Sequence, residues 1–171
     1  MNGIKQDFSA DENADFLTLL YKEKIGGYAK FYKMDHLSRL GFVASELLLH
    51  AEGAERFTER GDRAVVLFND SSSVDTDRTF LESVTSAKGY FPSPSVFVYT
   101  LPNIVTGEIA IRNGYKGETA LYILAREDEQ MIHRVLEATV ADNGVGSVLT
   151  GWISYTDANN YSARLGIYET E

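Results

Sequence analysis

Residues Ser93 to Ile123 read SPSVFVYTLPNIVTGEIAIRNGYKGETALYI. The stretch parses into three parts. Ser93 to Thr100, flanked by Pro92 and Pro94, reads as extended, because proline and the residue before it disfavour helix. Pro102 suits the first turn of a helix running to about Asn113, since its missing N–H is an orphan there in any case. Gly114 is that helix's stop, the residue best able to take a left-handed cap. Thr119 to Leu124 then reads as a strand. Extended segment, helix and strand in close succession are the signature of a parallel α/β sheet.

The rest of the chain extends that pattern. Glu12 to Lys24 reads as a helix ending near Gly26 and Gly27, with a cap at Ser9 or Asp11 after a loose N-terminus. Lys33 to Ala51 is the clearest helix. Met34, Leu37, Leu40, Gly41, Ala44, Leu47, Leu48 and Ala51 form one stripe at helical spacing, and Phe42 and Leu49 a smaller second patch. Asp35 stands near its start, where a carboxylate favours the helix dipole. Arg63 to Asn69 is a buried strand with a continuous apolar run. Asp70 to Asp75 is a polar loop, Asp77 to Lys88 a short helix ending at Gly89, and Glu127 to Asp142 a helix closed by Asn143 and Gly144. Ser147 to Tyr155 and Tyr161 to Tyr168 are strands joined by a turn at Thr156 to Asn160, so the chain ends in a hairpin. The expected fold is α/β: a three-layer mixed sheet with helices on both faces, with right-handed crossovers between parallel strands.

The 171 residues fit a single domain spanning 1–171. Sixteen basic against 25 acidic residues give a formal net charge of −9. That argues against nucleic acid, whose phosphates require released counterions, and against anionic membranes. No stretch reads as a signal peptide or a membrane span, which with the lack of cysteine points to a cytoplasmic location. The absence of cysteine excludes disulfides, thiolate metal sites and a thiol nucleophile. No metal or cofactor is expected. His36 and His50 are fourteen residues apart and cannot share a metal. The acidic loop from Asn69 to Asp77 has no calcium-loop spacing.

The opening stretch resembles a segment of the β-ketoacyl synthases of the thiolase-like superfamily. Pro94, Phe97, Thr100-Leu101-Pro102-Asn103, Gly107, Ile109-Ala110-Ile111 and Lys116-Gly117 carry the likeness. Lys33 to Leu49 is similar to the family's helix beginning Met-Asp/Arg-x-x-Ser, and Arg63 to Asp70 to the strand after it. The likeness runs from Lys33 to Gly151. The family's opening strand is not recognisable. The resemblance implies a thiolase-like half-domain, matching the N-terminal half only. It also implies a nucleophilic cysteine nine residues after the glycine of Lys116-Gly117, where this chain has Arg126. A guanidinium cannot attack a thioester. Glu127, Asp128 and Glu129, read as the first helical turn, would repel a thiolate or oxyanion. The family's two catalytic histidines come from a second half, and His36, His50 and His133 match none of its motifs.

The expected function is therefore that of a non-catalytic ketosynthase-like protein, a pseudoenzyme. It would be an accessory or assembly subunit in fatty-acid, polyketide or aryl-polyene-type biosynthesis, with no catalytic residue of its own. By the family's pattern it would form a homodimer, or a heterodimer with a ketosynthase, along the strand carrying Thr119, Leu121 and Ile123. Two alternatives stand beside it. One is a module binding an acyl chain or acyl carrier protein through Arg112, Lys116, Arg126 and Asn103. The other is a small enzyme with new chemistry in the old cleft. Finally, the helix from Glu127 carries Met131, Ile132, Val135, Leu136, Thr139 and Val140 on one stripe and polar residues elsewhere. It should be wetted on one side.

Overall fold

The computed structural model describes residues 15–53, 55–85, 92–141 and 144–169. The expected cap at Ser9 or Asp11, and the helix ends at Gly89 and Asn143, lie outside them. Among the described residues four strands form one mixed sheet: β1 (Arg63–Asn69), β2 (Thr119–Ile123), β3 (Ser147–Asp157) and β4 (Asn160–Glu169), in the order β2-β1-β3-β4. β1 runs parallel to both β2 and β3, with Leu67 level with Leu121 on one side and Gly151 on the other. β3 and β4 are antiparallel and joined by a two-residue turn at Ala158 and Asn159. Parallel neighbours require long crossovers. These are α3 (Val74–Thr85), α4 (Pro94–Val98) and α5 (Ile104–Asn113) between β1 and β2, and α6 (Glu129–Ala141) between β2 and β3.

Every residue of β1 is buried, as a strand covered on both faces must be. Val65 and Leu67 pack with Val105, Ile109, Leu40 and Leu49 on one face. Ala64, Val66 and Phe68 pack with Trp152 and Leu136 on the other. The first face is covered by α2 (His36–Glu52) and α5, the second, among the described residues, by α6. α1 (Phe16–Lys24) and a 3-10 turn at Ala29–Lys33 add a third cluster outside α2. In it the Tyr21 and Phe31 rings stack at 3.9 Å.

Two glycines are dictated by close approach. A Cβ on Gly117 would lie 2.5 Å from the carbonyl oxygen of Arg63, so the backbone entering β2 can pass β1 only without a side chain. Gly151 takes φ +145, and a Cβ there would lie 2.0 Å from the Arg164 carbonyl oxygen.

Three sequence expectations are corrected. Ser93 to Thr100 is not extended: Pro94 opens the short α4, and the Ser93 hydroxyl accepts the N–H of Val96 at 3.4 Å. Proline's restriction falls on Ser93, which stays extended as the cap, while Pro94 itself is at home in a first turn. The α2 helix begins at His36, with Asp35 as its cap accepting the Ser38 N–H at 3.0 Å. Its buried surface is broader than one stripe, because it touches the sheet, α5 and α1 at once; Ser45 and Glu46 are buried and Ala51 is exposed. Glu127 and Asp128 precede α6 rather than fill its first turn, which holds only Glu129. Asp128 instead caps the helix, accepting the Met131 N–H at 3.0 Å. The outer side of α6 is exposed, Leu136 and Thr139 being its buried residues, as the stripe implied.

Candidate functional site

The carboxyl ends of β1 and β2 make the crevice where a site belongs in an open α/β sheet. The chain leaving β1 turns toward α3 on the α2 side, and the chain leaving β2 turns to α6 on the opposite face, which is a topological switch point. Asn69, fully buried at the end of β1, pins the first turn: its amide donates to the Ser72 carbonyl at 2.9 Å and accepts the Ser72 N–H at 3.2 Å. The Asn69 carbonyl accepts the Leu124 N–H at 2.8 Å and ties the two strand ends together. Beyond them Ser154 donates to Asp70 at 3.3 Å, with the Ser71 hydroxyl 3.4 Å from it.

Arg126 stands at this β2-to-α6 junction, exposed, with no ion pair to any described residue. Its neighbour Glu127 pairs with Arg164 of β4. From Leu124 to Asp128 the junction offers no hydroxyl or thiol. The thiol that the resemblance implies here is not present.

The other binding candidates do not gather here. Arg112 is turned into the protein: its Nε lies 3.5 Å from Glu46, and its guanidinium stacks over Phe57 at 4.4 Å and Tyr28 at 5.0 Å. Lys116 is exposed at the entry to β2, 3.7 Å from Glu59, whereas Arg126 follows the strand's exit. Five residues of strand, roughly 17 Å, separate the two ends. Asn103 is exposed and makes no side-chain cap; its carbonyl accepts from Thr106.

The dimer-edge candidates share one geometry. β2 is an outer strand of the sheet. Val65 N–H donates to the Glu118 carbonyl and Leu124 N–H to the Asn69 carbonyl, both at 2.8 Å, so the even-numbered residues of β2 face β1. In a parallel ladder alternate residues serve one neighbour. Thr119, Leu121 and Ile123 therefore turn their N–H and C=O groups away from the sheet. Leu121 packs its side chain on the α2–α5 core, Tyr122 stacks on Phe68 at 5.6 Å, and Ile123 is 52% exposed. A shallow groove of about 420 Å³ runs beside this edge, between Glu118 and Tyr122 on one side and Arg134 and Val135 of α6 on the other.

Sequence reasoning missed two polar centres. Glu46, 2% exposed on α2, serves Arg56 and Arg112 together, and Arg56 also donates to Asn113 at 3.0 Å. A carboxylate in the middle of the most apolar helix was the available signal. The second centre is a cleft beside the start of α2, where His36 Nδ1 lies 2.8 Å from Asp75 and its ring stacks on Tyr155 at 5.0 Å. Asp35 at the same place accepts from Thr76 at 2.6 Å. Burial, then Asp75, pushes the Tyr155 phenol up to about 12. The contact spans 39 residues and leaves no local mark in the sequence.

Among the described residues no group of three or more metal-ligating side chains occurs, and no helix is long and apolar enough to cross a membrane. No family model matches the chain, and no curated protein matches it. Solved structures do. The ishigamide ketosynthase/chain length factor is similar over 82% of this chain and 39% of its own, at 23% identity and a TM-score of 0.66. The ketosynthase ApeO in complex with its chain length factor ApeC, from Xenorhabdus doucetiae, is similar over 81% of this chain and 60% of that one, at 14% identity and a TM-score of 0.54. The chain thus spans less than two thirds of the length of either of these two chains. What it shares with them is the fold, a mixed α/β sheet of the thiolase-like half-domain kind.

Proposed function

We propose that the chain is a non-catalytic, ketosynthase-like subunit that pairs through β2 with a ketosynthase in polyketide, aryl-polyene or fatty-acid assembly. The observation that carries this reading is the pairing of a junction without a thiol or hydroxyl with an open edge. Arg126 stands where the resemblance demands a thiol, and the edge of β2 offers backbone groups at Thr119, Leu121 and Ile123 that have no partner strand among the described residues. An exposed edge with apolar side chains calls for a cover. Two-fold pairing of β2 with the matching strand of a partner would supply it and place Tyr122 and the α6 groove at the margin of the interface.

Carrier-protein binding through the basic candidates has less support. Arg112 is turned inward against Glu46, Lys116 and Arg126 stand at opposite ends of β2, and a chain at −9 repels an acidic partner. A condensation assay with acyl and malonyl thioesters tests the catalytic half of the proposal. The chain alone is expected to give no β-ketoacyl product. Arg126→Cys is expected to give none either, because Glu127 and Asp128 disfavour a thiolate and none of His36, His50 or His133 matches a catalytic histidine of the family. Turnover by the unmodified chain would overturn the reading.

A further inference from the structure

We infer that, without a ketosynthase, the β2 edge takes a second copy of this chain, antiparallel across a two-fold axis through Leu121, and that Arg126 pairs there with the second copy's Glu118. The inference rests on the reading of β2 as a pairing edge, not on which ketosynthase it meets. Backbone alternation limits the registers. The odd-numbered residues of β2 carry the outward N–H and C=O groups, so in an antiparallel pair they must face odd-numbered residues. Leu121 is the middle residue of Thr119–Ile123. An axis through it gives every outward residue of the strand a partner: Leu121 meets Leu121, and Thr119 meets Ile123 twice. Moving the axis to Ala120 or Tyr122 leaves one outward residue of each copy facing chain beyond the strand.

Side chains fit the same register. Ala120, Tyr122 and Leu124 belong to the α6 face of the sheet, and Glu118 lines the groove on that face. Tyr122, 38% exposed, falls opposite the second copy's Ala120, so the largest of these side chains meets the smallest, at the mouth of that groove. On the other face Ile123, 52% exposed, falls against the second copy's Thr119.

The charges then decide. Glu118 falls opposite the second copy's Leu124, with Arg126 as its diagonal neighbour, a separation that long side chains span. Both Glu118 and Arg126 are exposed, and neither makes an ion pair with any described residue. The charges around them are engaged elsewhere. Glu127 pairs with Arg164, Asp128 caps α6, Arg134 donates to the Gln130 carbonyl, and Lys116, which comes level with the second copy's Arg126, lies 3.7 Å from Glu59. The two-fold axis forms the Glu118–Arg126 pair twice, once at each end. With −9 on each copy the long-range field opposes association. Backbone pairing and the apolar side chains therefore carry the contact, and the two ion pairs select its register. A ketosynthase on the same edge would displace the second copy.

The test is sedimentation of the full chain alone, where a dimer is expected. Glu118→Arg and Arg126→Glu should each weaken it about tenfold, because each reverses both pairs, and the double variant should restore it. Both side chains are exposed with no ion-pair partner to lose among the described residues, so the fold should survive. Crosslinking reads the register. The chain has no cysteine, so Thr119→Cys mixed with Ile123→Cys should form a disulfide under mild oxidation. Neither variant alone should do so, because like positions stand roughly 13 Å apart along the strands. A chain that sediments as a monomer, charge reversals without effect or without rescue, or no crosslink in the mixture would each overturn the inference. A chain that is monomeric alone yet pairs with a ketosynthase overturns it and leaves the proposed function standing. A rescued dimer indifferent to any ketosynthase supports it and overturns that function.

Discussion

Arg63 shows how a single residue can hold the amino end of the sheet. Its guanidinium is 2% exposed, donates twice to Glu52 at 2.9 and 2.7 Å and once to Ser147 at 3.0 Å, and lies over the Tyr115 ring. It joins the end of α2 to the starts of β1 and β3. Removing one member of a fully buried pair costs roughly 3–5 kcal/mol; because Glu52 reaches solvent, we expect about 2–4 kcal/mol for Arg63→Ala, measured by urea unfolding. Tyr155 gives a pH dependence. Its phenol titrates at about 12 in the folded protein and at about 10 when unfolded. Between those values the unfolded chain has lost the proton and the folded chain keeps it, so stability falls as pH rises through that window. Burial raises Tyr99, Tyr115 and Tyr161 as well, which adds to the fall. Tyr155→Phe should make the loss shallower in unfolding curves taken between pH 9 and 12; an unchanged slope would count against the assignment. At this scale the sequence was readable where a residue answers to the local chain, as at Asp35 and Gly114. It was silent on Arg63 with Glu52 and His36 with Asp75, whose partners are set by tertiary contact.

Elements were legible in proportion to how much of their pattern is local. β1 was plain because an unbroken apolar run of seven residues has few other readings. The terminal hairpin was plain from its turn. α4 was misread because Pro-rich flanks suit both an extended segment and a first helical turn, and five residues are too few for periodicity to decide. The stripe on α2 was too narrow, since a helix pressed against three neighbours buries residues no two-sided pattern predicts. The Lys-Gly motif gains a physical reason: Gly117 lets the chain pass the Arg63 carbonyl on its way into β2. Gly117→Ala should therefore overpack that crossing and cost about 1–3 kcal/mol in thermal or urea unfolding, with the damage centred on β1 and β2. A neutral Gly117→Ala would mean the crossing relaxes freely.

For the whole molecule, the sheet closes with β1 directly against β3 over six paired positions, from Arg63 with Ser147 to Phe68 with Trp152. The resemblance left the strand order open at this point, because strand order is set by non-local pairing. Its outcome is a sheet whose outer strands are β2 and β4, with the Arg126 junction at the exit of β2. Pairing along β2 is the claim on which the functional proposal rests. Light scattering of the chain mixed with a full-length ketosynthase from the same host tests this pairing, with Ile123→Pro as the control. Ile123 is half exposed and turns its N–H outward, so proline there removes an edge donor and no ladder bond. A one-to-one complex that Ile123→Pro abolishes, with its unfolding midpoint little changed, is the expected result. A chain that stays at its monomer mass of 19.0 kDa beside the ketosynthase, or a complex indifferent to Ile123→Pro, would contradict it.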